Sequence, residues 1–110
     1  MKLAIVGSRT CPKIDIEEYL DETPDTIISG GAIGADALAH DYAIKKGIKL
    51  IEFKPDYKSH GKIAPLVRNR LIVDECDSVL AFWDGKSKGT KFVIDYATKM
   101  NKPVKTIYFK

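Results

Sequence analysis

Thr26-Ile27-Ile28-Ser29-Gly30-Gly31-Ala32-Ile33-Gly34-Ala35-Asp36, read on through Leu38, Ala39, Tyr42 and Ala43, decides the fold. A short strand-type run is cut off by a glycine pair. Past Gly34 the apolar positions recur at helical spacing, and Gly47 stands where a left-handed C-cap belongs. The apolar face of this helix is mostly alanine, so it can lie close against whatever covers it. Strand, glycine turn and helix in that order make one unit of a parallel sheet.

The same unit recurs on either side. Leu3 to Val6 is a continuous apolar run ended by Gly7, the pattern of a buried strand. A short helical pattern follows Asp15, with Glu18 placed for a capping box and Ile16, Tyr19 and Leu20 on one side. Ile48 to Phe53 reads as a third strand, and Pro55 to Lys62 as a polar stretch. Pro65 opens a third helix at its first turn, running to about Cys76. Ser78 to Trp83 is a fourth strand. Thr90 caps a fourth helix with Val93, Ile94, Ala97 and Met100 facing inward, ended by Asn101 and Pro103, before a fifth strand from Val104 to Phe109. The prediction is an α/β fold: one Rossmann-like, three-layer domain over residues 1–110 with a five-stranded parallel sheet in the order 3-2-1-4-5. Right-handed crossovers leave few ways to wind such a chain, and covering both faces takes one reversal of direction. The flavodoxin-like order 2-1-3-4-5 is the competitor.

Composition narrows the function. The chain has 110 residues, 45% hydrophobic and 30% charged, which is globular rather than disordered. Its longest apolar runs are strand-sized, far short of the ~20 residues a membrane span requires. The opening residues are broken too soon by Gly7 and Arg9 for a secretion signal, so a cytoplasmic location without membrane attachment is expected. Cys11 and Cys76 are isolated, the pattern of two reduced thiols, with Cys76 in the core. Neither His40 nor His60 shares ligand spacing with a cysteine, so no metal site is expected. A net charge of +3, spread along the chain, suits an anionic ligand without implying a protein that coats DNA.

Where the glycines sit is the informative feature. Gly7-Ser8-Arg9 follows the first strand, Gly30-Gly31-Ala32-Ile33-Gly34-Ala35-Asp36 the second, and Asp84-Gly85-Lys86-Ser87-Lys88-Gly89-Thr90 the fourth. In a parallel sheet all strand-to-helix junctions fall on the carboxyl edge, where open α/β sheets bind ligands at the reversal of strand order. The first amides of a helix have no partner within it, and the helix dipole makes that end positive. The helix starts after Gly34 and Gly89 therefore offer two anion cradles. Ser8, Ser87 and Thr90 add hydroxyls, and Arg9 adds a fork of donors suited to phosphate. For one such loop, a tight turn with no ligand is the better reading. For three on one edge, ligand binding leads.

Some ligands are disfavoured. No segment reads G-x-G-x-x-G, and the second strand ends in Ser29-Gly30 rather than an acid for a ribose, which argues against classical NAD binding. No G-x-x-x-x-G-K-[ST] occurs either, and no bound cofactor is expected.

Other residues lie on the same side. Leu66, Asn69, Val73 and Cys76 form a stripe in which Asn69 is the odd member. Arg68 and Arg70 flank it and point to different sides. Asn69 with one arginine, taken as Arg70, either closes over a ligand, reading a phosphate or a base edge, or the arginine is solvated and the asparagine bonds to backbone, and the two readings weigh evenly. Trp83 ends the fourth strand and either stacks a base or packs a wall, with packing favoured. Asp36 and Asp84 are the carboxylates that a hydrolase would need to activate water, although bracing a cap or turn is the commoner use of aspartate there. Lys54, Lys58, His60 and Lys62 surround a segment that reads as a solvated surface first and a lid second.

The combination of Gly7-Ser8-Arg9, Ser29-Gly30-Gly31-Ala32-x-Gly34-Ala35-Asp36, Arg68-Asn69-Arg70 and Phe82-Trp83-Asp84-Gly85-x-Ser87-x-Gly89-Thr90 resembles the SLOG superfamily, within it the small YspA, or cpYpsA-related, branch. The resemblance covers nearly the whole chain. It implies a Rossmann-like fold and a site for nucleotides or nucleotide-derived molecules, with the glycine loops holding phosphate. Lonely Guy relatives are phosphoribohydrolases with the signature P-G-G-x-G-T-x-x-E, whose glutamate is catalytic. Here Val93 stands at the glutamate position and Asp84 at the leading proline, and valine cannot move a proton. Asp95 is two residues displaced, about 200° round the helix. DprA relatives share the G-S-R and S-G-x-x-x-G-[IA]-D segments and bind single-stranded DNA, which calls for a basic groove with interleaved aromatics.

The leading expectation is binding of a nucleotide or nucleotide-derived metabolite, as sensor or carrier. Gly7, Ser8, Arg9, Gly30, Gly31, Gly34, Gly89 and Thr90 would hold phosphate, with Ala32, Ala35, Gly85 and Ser87 in the same loops. Asp36, Asn69, Arg70 and Asp84 would orient sugar, base or a loop. The alternatives are an enzyme cleaving a nucleotide at its N-glycosidic or phosphate bond through Asp36 or Asp84, and single-stranded DNA binding as the less favoured partner. A homodimer is left open.

Overall fold

The computed structural model of the chain describes residues 1–31 and 34–109. The sheet is built from β1 (Lys2–Gly7), β2 (Thr26–Ser29), β3 (Lys49–Glu52), β4 (Ser78–Trp83) and β5 (Val104–Tyr108). All pairings are parallel and the order is β3-β2-β1-β4-β5. The competing order is thereby set aside. The connections are a 3₁₀ turn (Ile16–Tyr19), α1 (Ala35–Lys46), the short α2 (Tyr57–His60) with a 3₁₀ turn (Gly61–Ile63), α3 (Ala64–Glu75) and α4 (Lys88–Lys99).

Alternation along the central strands explains the layering. Leu3, Ile5, Ile27, Leu80 and Phe82 face one way and pack with Ala35, Ala39, Tyr42 and Ala43 of α1 and with Ile16. Ala4, Val6, Ile28, Val79 and Ala81 face the other way and pack with Ile72, Val73 and Cys76 of α3 and Val93 and Ala97 of α4. A strand buried on both faces must be apolar at every position, which is why β1 and β4 read as unbroken runs. The alanines of α1 let that helix approach closely. A Cβ placed on Gly7 would sit 2.5 Å from Ala35 Cβ and 2.5 Å from the Phe82 carbonyl oxygen.

Several local expectations are corrected. Asp15 opens a single 3₁₀ turn, its carboxylate accepting from the Glu17 amide rather than forming a capping box with Glu18. The polar stretch after β3 contains α2, started by Asp56, whose carboxylate accepts from the Ser59 amide. The cap of α4 is Ser87, three residues before Thr90, and Met100 lies past its last turn and is exposed. Leu66 is exposed as well, so the inward face of α3 runs through Ala64, Asn69, Ile72 and Val73. Lys102 Nζ donates to the carbonyls of Val73, Asp74 and Cys76 and so closes the C-terminal end of α3. Among the described residues no helix is long and apolar enough to cross a membrane.

Candidate functional site

The strand order reverses at β1, between its neighbours β2 and β4. At that point on the carboxyl edge the starts of α1, α3 and α4 surround a cleft of about 260 Å³. Its walls are Val6, Gly7, Arg9, Asp36, Pro65, Arg68, Asn69, Ser87, Gly89, Thr90 and Val93. Two larger hollows, of about 430 and 350 Å³, lie elsewhere: one at the other edge of the sheet near Met1 and Pro103, one between the first 3₁₀ turn and α1. Neither joins an arginine to a helix start.

The loop from β4 to α4 is built around Asp84. One carboxylate oxygen accepts from the amides of Lys86 and Ser87, both at 2.8 Å, and the other accepts from the Thr10 hydroxyl at 3.3 Å. The Asp84 amide in turn donates to Ser8 Oγ at 3.2 Å. These bonds, led by the Ser87 and Lys86 amides, favour the ionised carboxylate and hold its pKa below the ordinary value. Ser87 Oγ caps α4, accepting from the Thr90 amide at 3.4 Å and from the Thr90 hydroxyl at 3.2 Å. Trp83 donates its indole N–H to the Ser87 carbonyl and packs at 5.5 Å against Tyr108. Trp83 is thus wall and brace, as its packing alternative anticipates. The result is a braced loop that leaves open space over Gly89, where among the described residues an added Cβ would find only Asn69 Nδ2, at 4.0 Å.

Opposite this loop stands Arg68. Its Nη1 donates to the carbonyls of Gly30 at 3.1 Å and Phe53 at 3.4 Å, and its Nε donates to Asn69 Oδ1 at 2.8 Å. A guanidinium has no acceptor, so the Asn69 atom facing it must be the oxygen. The amide nitrogen is then left on the side of Gly89. Burial lowers the Arg68 pKa, the Asp36 charge raises it, and the nearby Arg9 lowers it further. Asp36 is buried at 8% exposure, and its carboxylate comes to the same place as the guanidinium: a Cβ on Gly30 would lie 2.5 Å from Arg68 Nη1 and 2.9 Å from Asp36 Oδ2. The cleft therefore combines two arginines, a carboxylate, an amide nitrogen, a hydroxyl and a helix start.

The sequence-predicted residues fall into three groups. Gly7, Arg9, Asp36, Asn69, Ser87, Gly89 and Thr90 line the cleft. Ser8, Gly30, Gly34, Ala35 and Asp84 support it from behind: Ser8 is buried and bonded to Asp84, and Gly34 packs on the Ser8 and Arg9 backbone. Gly31, Gly85 and Arg70 lie apart. Gly31 faces Glu52 and Lys54, Gly85 faces open space, and Arg70 is exposed on the side of Tyr96, whose phenol feels its charge. Ala32 lies outside the described residues. The arginine beside Asn69 in the cleft is Arg68, not Arg70. Arg68 is one helical step of four from both Ala64 and Ile72, and it is the burial of those two that turns it toward the cleft.

Val93 is 1% exposed and lines the cleft. Asp95 is on the outer side of α4, paired with Lys91 at 2.8 Å. A family profile described as YspA, cpYpsA-related SLOG matches residues 1–60. The chain belongs to this SLOG family. No curated protein and no solved structure matches it. The part matched to the SLOG profile supplies Gly7, Arg9 and Asp36, whereas Arg68, Asn69, Ser87, Gly89 and Thr90 come from the remainder of the chain.

Proposed function

We propose that the chain binds a nucleotide or nucleotide-derived metabolite in this cleft, as a sensor or carrier. The observation that carries the reading is the meeting of Arg9 and Arg68 with the start of α4 at the reversal of strand order. Guanidinium forks and free helix amides both favour phosphate oxygens. Arg68 is already bonded to two carbonyls and an amide, so it is held in place before a ligand arrives. Arg9 is exposed and lines the cleft, within reach of an anion bound there. Asp36 accepts from hydroxyl or amine groups on the part of the ligand beyond the phosphate. SLOG membership agrees with nucleotide-related chemistry.

A thermal-shift series with nucleotides tests the reading. Nucleoside phosphates are expected to raise the melting temperature, and Arg9→Ala to diminish the response. No shift with any phosphate-bearing compound counts against it, as does an undiminished response in Arg9→Ala.

One observation favours hydrolysis as a second reading. Asp36 is a buried carboxylate that lines the cleft beside Arg68, and Asp84 is not among the lining residues. Release of base or phosphate from a nucleotide, abolished by Asp36→Asn, is the expected outcome. Absence of turnover on all nucleotides retires it.

A further inference from the structure

We infer that Asn69 reads the phosphate of the bound nucleotide and not its base, donating its side-chain N–H groups to a ligand oxygen in the open space over Gly89. This rests on the nucleotide reading of the cleft. Asn69 lines the cleft yet is only 8% exposed. A side chain so buried is ordinarily bonded through all its polar atoms. Asn69 is bonded through one. Its Oδ1 accepts from Arg68 Nε at 2.8 Å, and among the described residues Nδ2 has no partner. Among those residues Tyr42 Oη is the only fully enclosed side-chain polar atom in that position, so Nδ2 is open to the cleft. It lies beside α4, 4.0 Å from where a Cβ on Gly89 would stand.

Orientation decides what such an amide can read. An asparagine that recognises a base edge pairs with it through oxygen and nitrogen together. Here the guanidinium holds the oxygen, and the guanidinium is itself tied to the Gly30 and Phe53 carbonyls. Only donors are left for the ligand. They suit phosphate oxygens, which accept, better than a base edge, which mixes donors with acceptors. The surroundings agree. The Arg68 charge at the far end of the amide polarises it and strengthens its N–H groups. In the first turn of α4 the Thr90 amide is taken by Ser87 Oγ, whereas the Gly89 amide has no partner within the helix. The Asn69 amide and the start of α4 therefore border one space, from two helices, with donors on both sides.

Calorimetric titration of adenosine monophosphate and ribose 5-phosphate into the parent, Asn69→Ala and Asn69→Asp tests this. Asn69→Ala is expected to weaken both compounds by the same factor, roughly 10- to 100-fold, as for loss of a hydrogen bond to a charged group. Asn69→Asp keeps the shape and an oxygen for Arg68 but sets a negative charge against the phosphate, so it should weaken both further still. A loss in Asn69→Asp no larger than in Asn69→Ala would mark a merely structural amide and overturns the inference. So does a loss confined to adenosine monophosphate, which would give Asn69 to the base, or a parent that binds adenosine monophosphate but not ribose 5-phosphate. In each of these cases the nucleotide reading stands. Failure of both compounds to bind the parent overturns that reading and this inference with it.

Discussion

The loops after β2 and β4 are both rich in glycine, yet they use it in opposite ways. In the first, the missing side chains make room for the protein itself. Gly34 lies on the Ser8 and Arg9 backbone, Gly30 lies beneath Arg68 and Asp36, and Gly7 at the end of β1 lies beneath Ala35. In the second, Gly89 leaves room in which, among the described residues, a Cβ would meet nothing closer than Asn69 Nδ2 at 4.0 Å. One loop builds the wall and the other keeps the space. A glycine cluster at a sheet edge is therefore not one signal: whether a Cβ would strike backbone or emptiness separates packing from binding.

The largest effect that follows is on stability, in the wall. A Cβ at Gly34 would meet the Ser8 carbonyl oxygen at 2.5 Å and that of Arg9 at 2.7 Å, and its φ of +75° is strained for any L side chain. Backbone atoms cannot rotate aside. Gly34→Ala is expected to cost about 2–4 kcal/mol, combining overpacking with left-handed strain. Urea denaturation reads this as a lower midpoint at an unchanged slope. A midpoint equal to the parent's would mean the two loops do not differ as described.

A smaller effect, set by pH, belongs to the second loop. Asp84 is held below the ordinary carboxylate pKa by the Ser87 and Lys86 amides. A depressed folded-state value contributes stability above the unfolded value of about 3.9, and that contribution is lost as pH falls through the folded value. Thermal melts of the parent and Asp84→Asn from neutral pH down to about pH 3 should therefore differ most near neutrality and converge in acid. A constant difference at every pH would show that the Asp84 charge does not hold the loop.

How far this was legible beforehand depends on the kind of interaction. The buried strands followed from apolar runs and glycine breaks, because a doubly covered strand has no freedom at any position, whereas their order rested on right-handed crossovers and one reversal, which left 2-1-3-4-5 as a competitor. Gly7, Asp36, Asn69 and Thr90 converge in the cleft because every strand-to-helix junction of a parallel sheet meets one edge. What spacing could not supply was rotation. Arg68 and Arg70 are interchangeable in a stripe anchored on Leu66. Only the burial of Ala64 and Ile72 turns α3 so that Arg68 faces Gly30. Nor could spacing say which hydroxyl the protein itself uses: Ser8 stands in a phosphate-type loop, yet it is buried and accepts from the Asp84 amide.

The smallest stability effect is also the most informative about function. Gly89 sits in the first turn of α4, where among the described residues a new Cβ would meet only Asn69 Nδ2, at 4.0 Å. Alanine there removes backbone freedom from the unfolded chain without a clash, so Gly89→Ala is expected to gain about 0.5 kcal/mol. The same methyl group enters the space where the Asn69 amide and the helix start face the cleft, and it should weaken the thermal response to nucleoside phosphates. A substitution that raises the resting melting temperature while lowering the ligand-induced shift cannot act through unfolding. A Gly89→Ala protein that keeps the full shift would place the anion away from α4, and the second loop would then be an ordinary turn like the first.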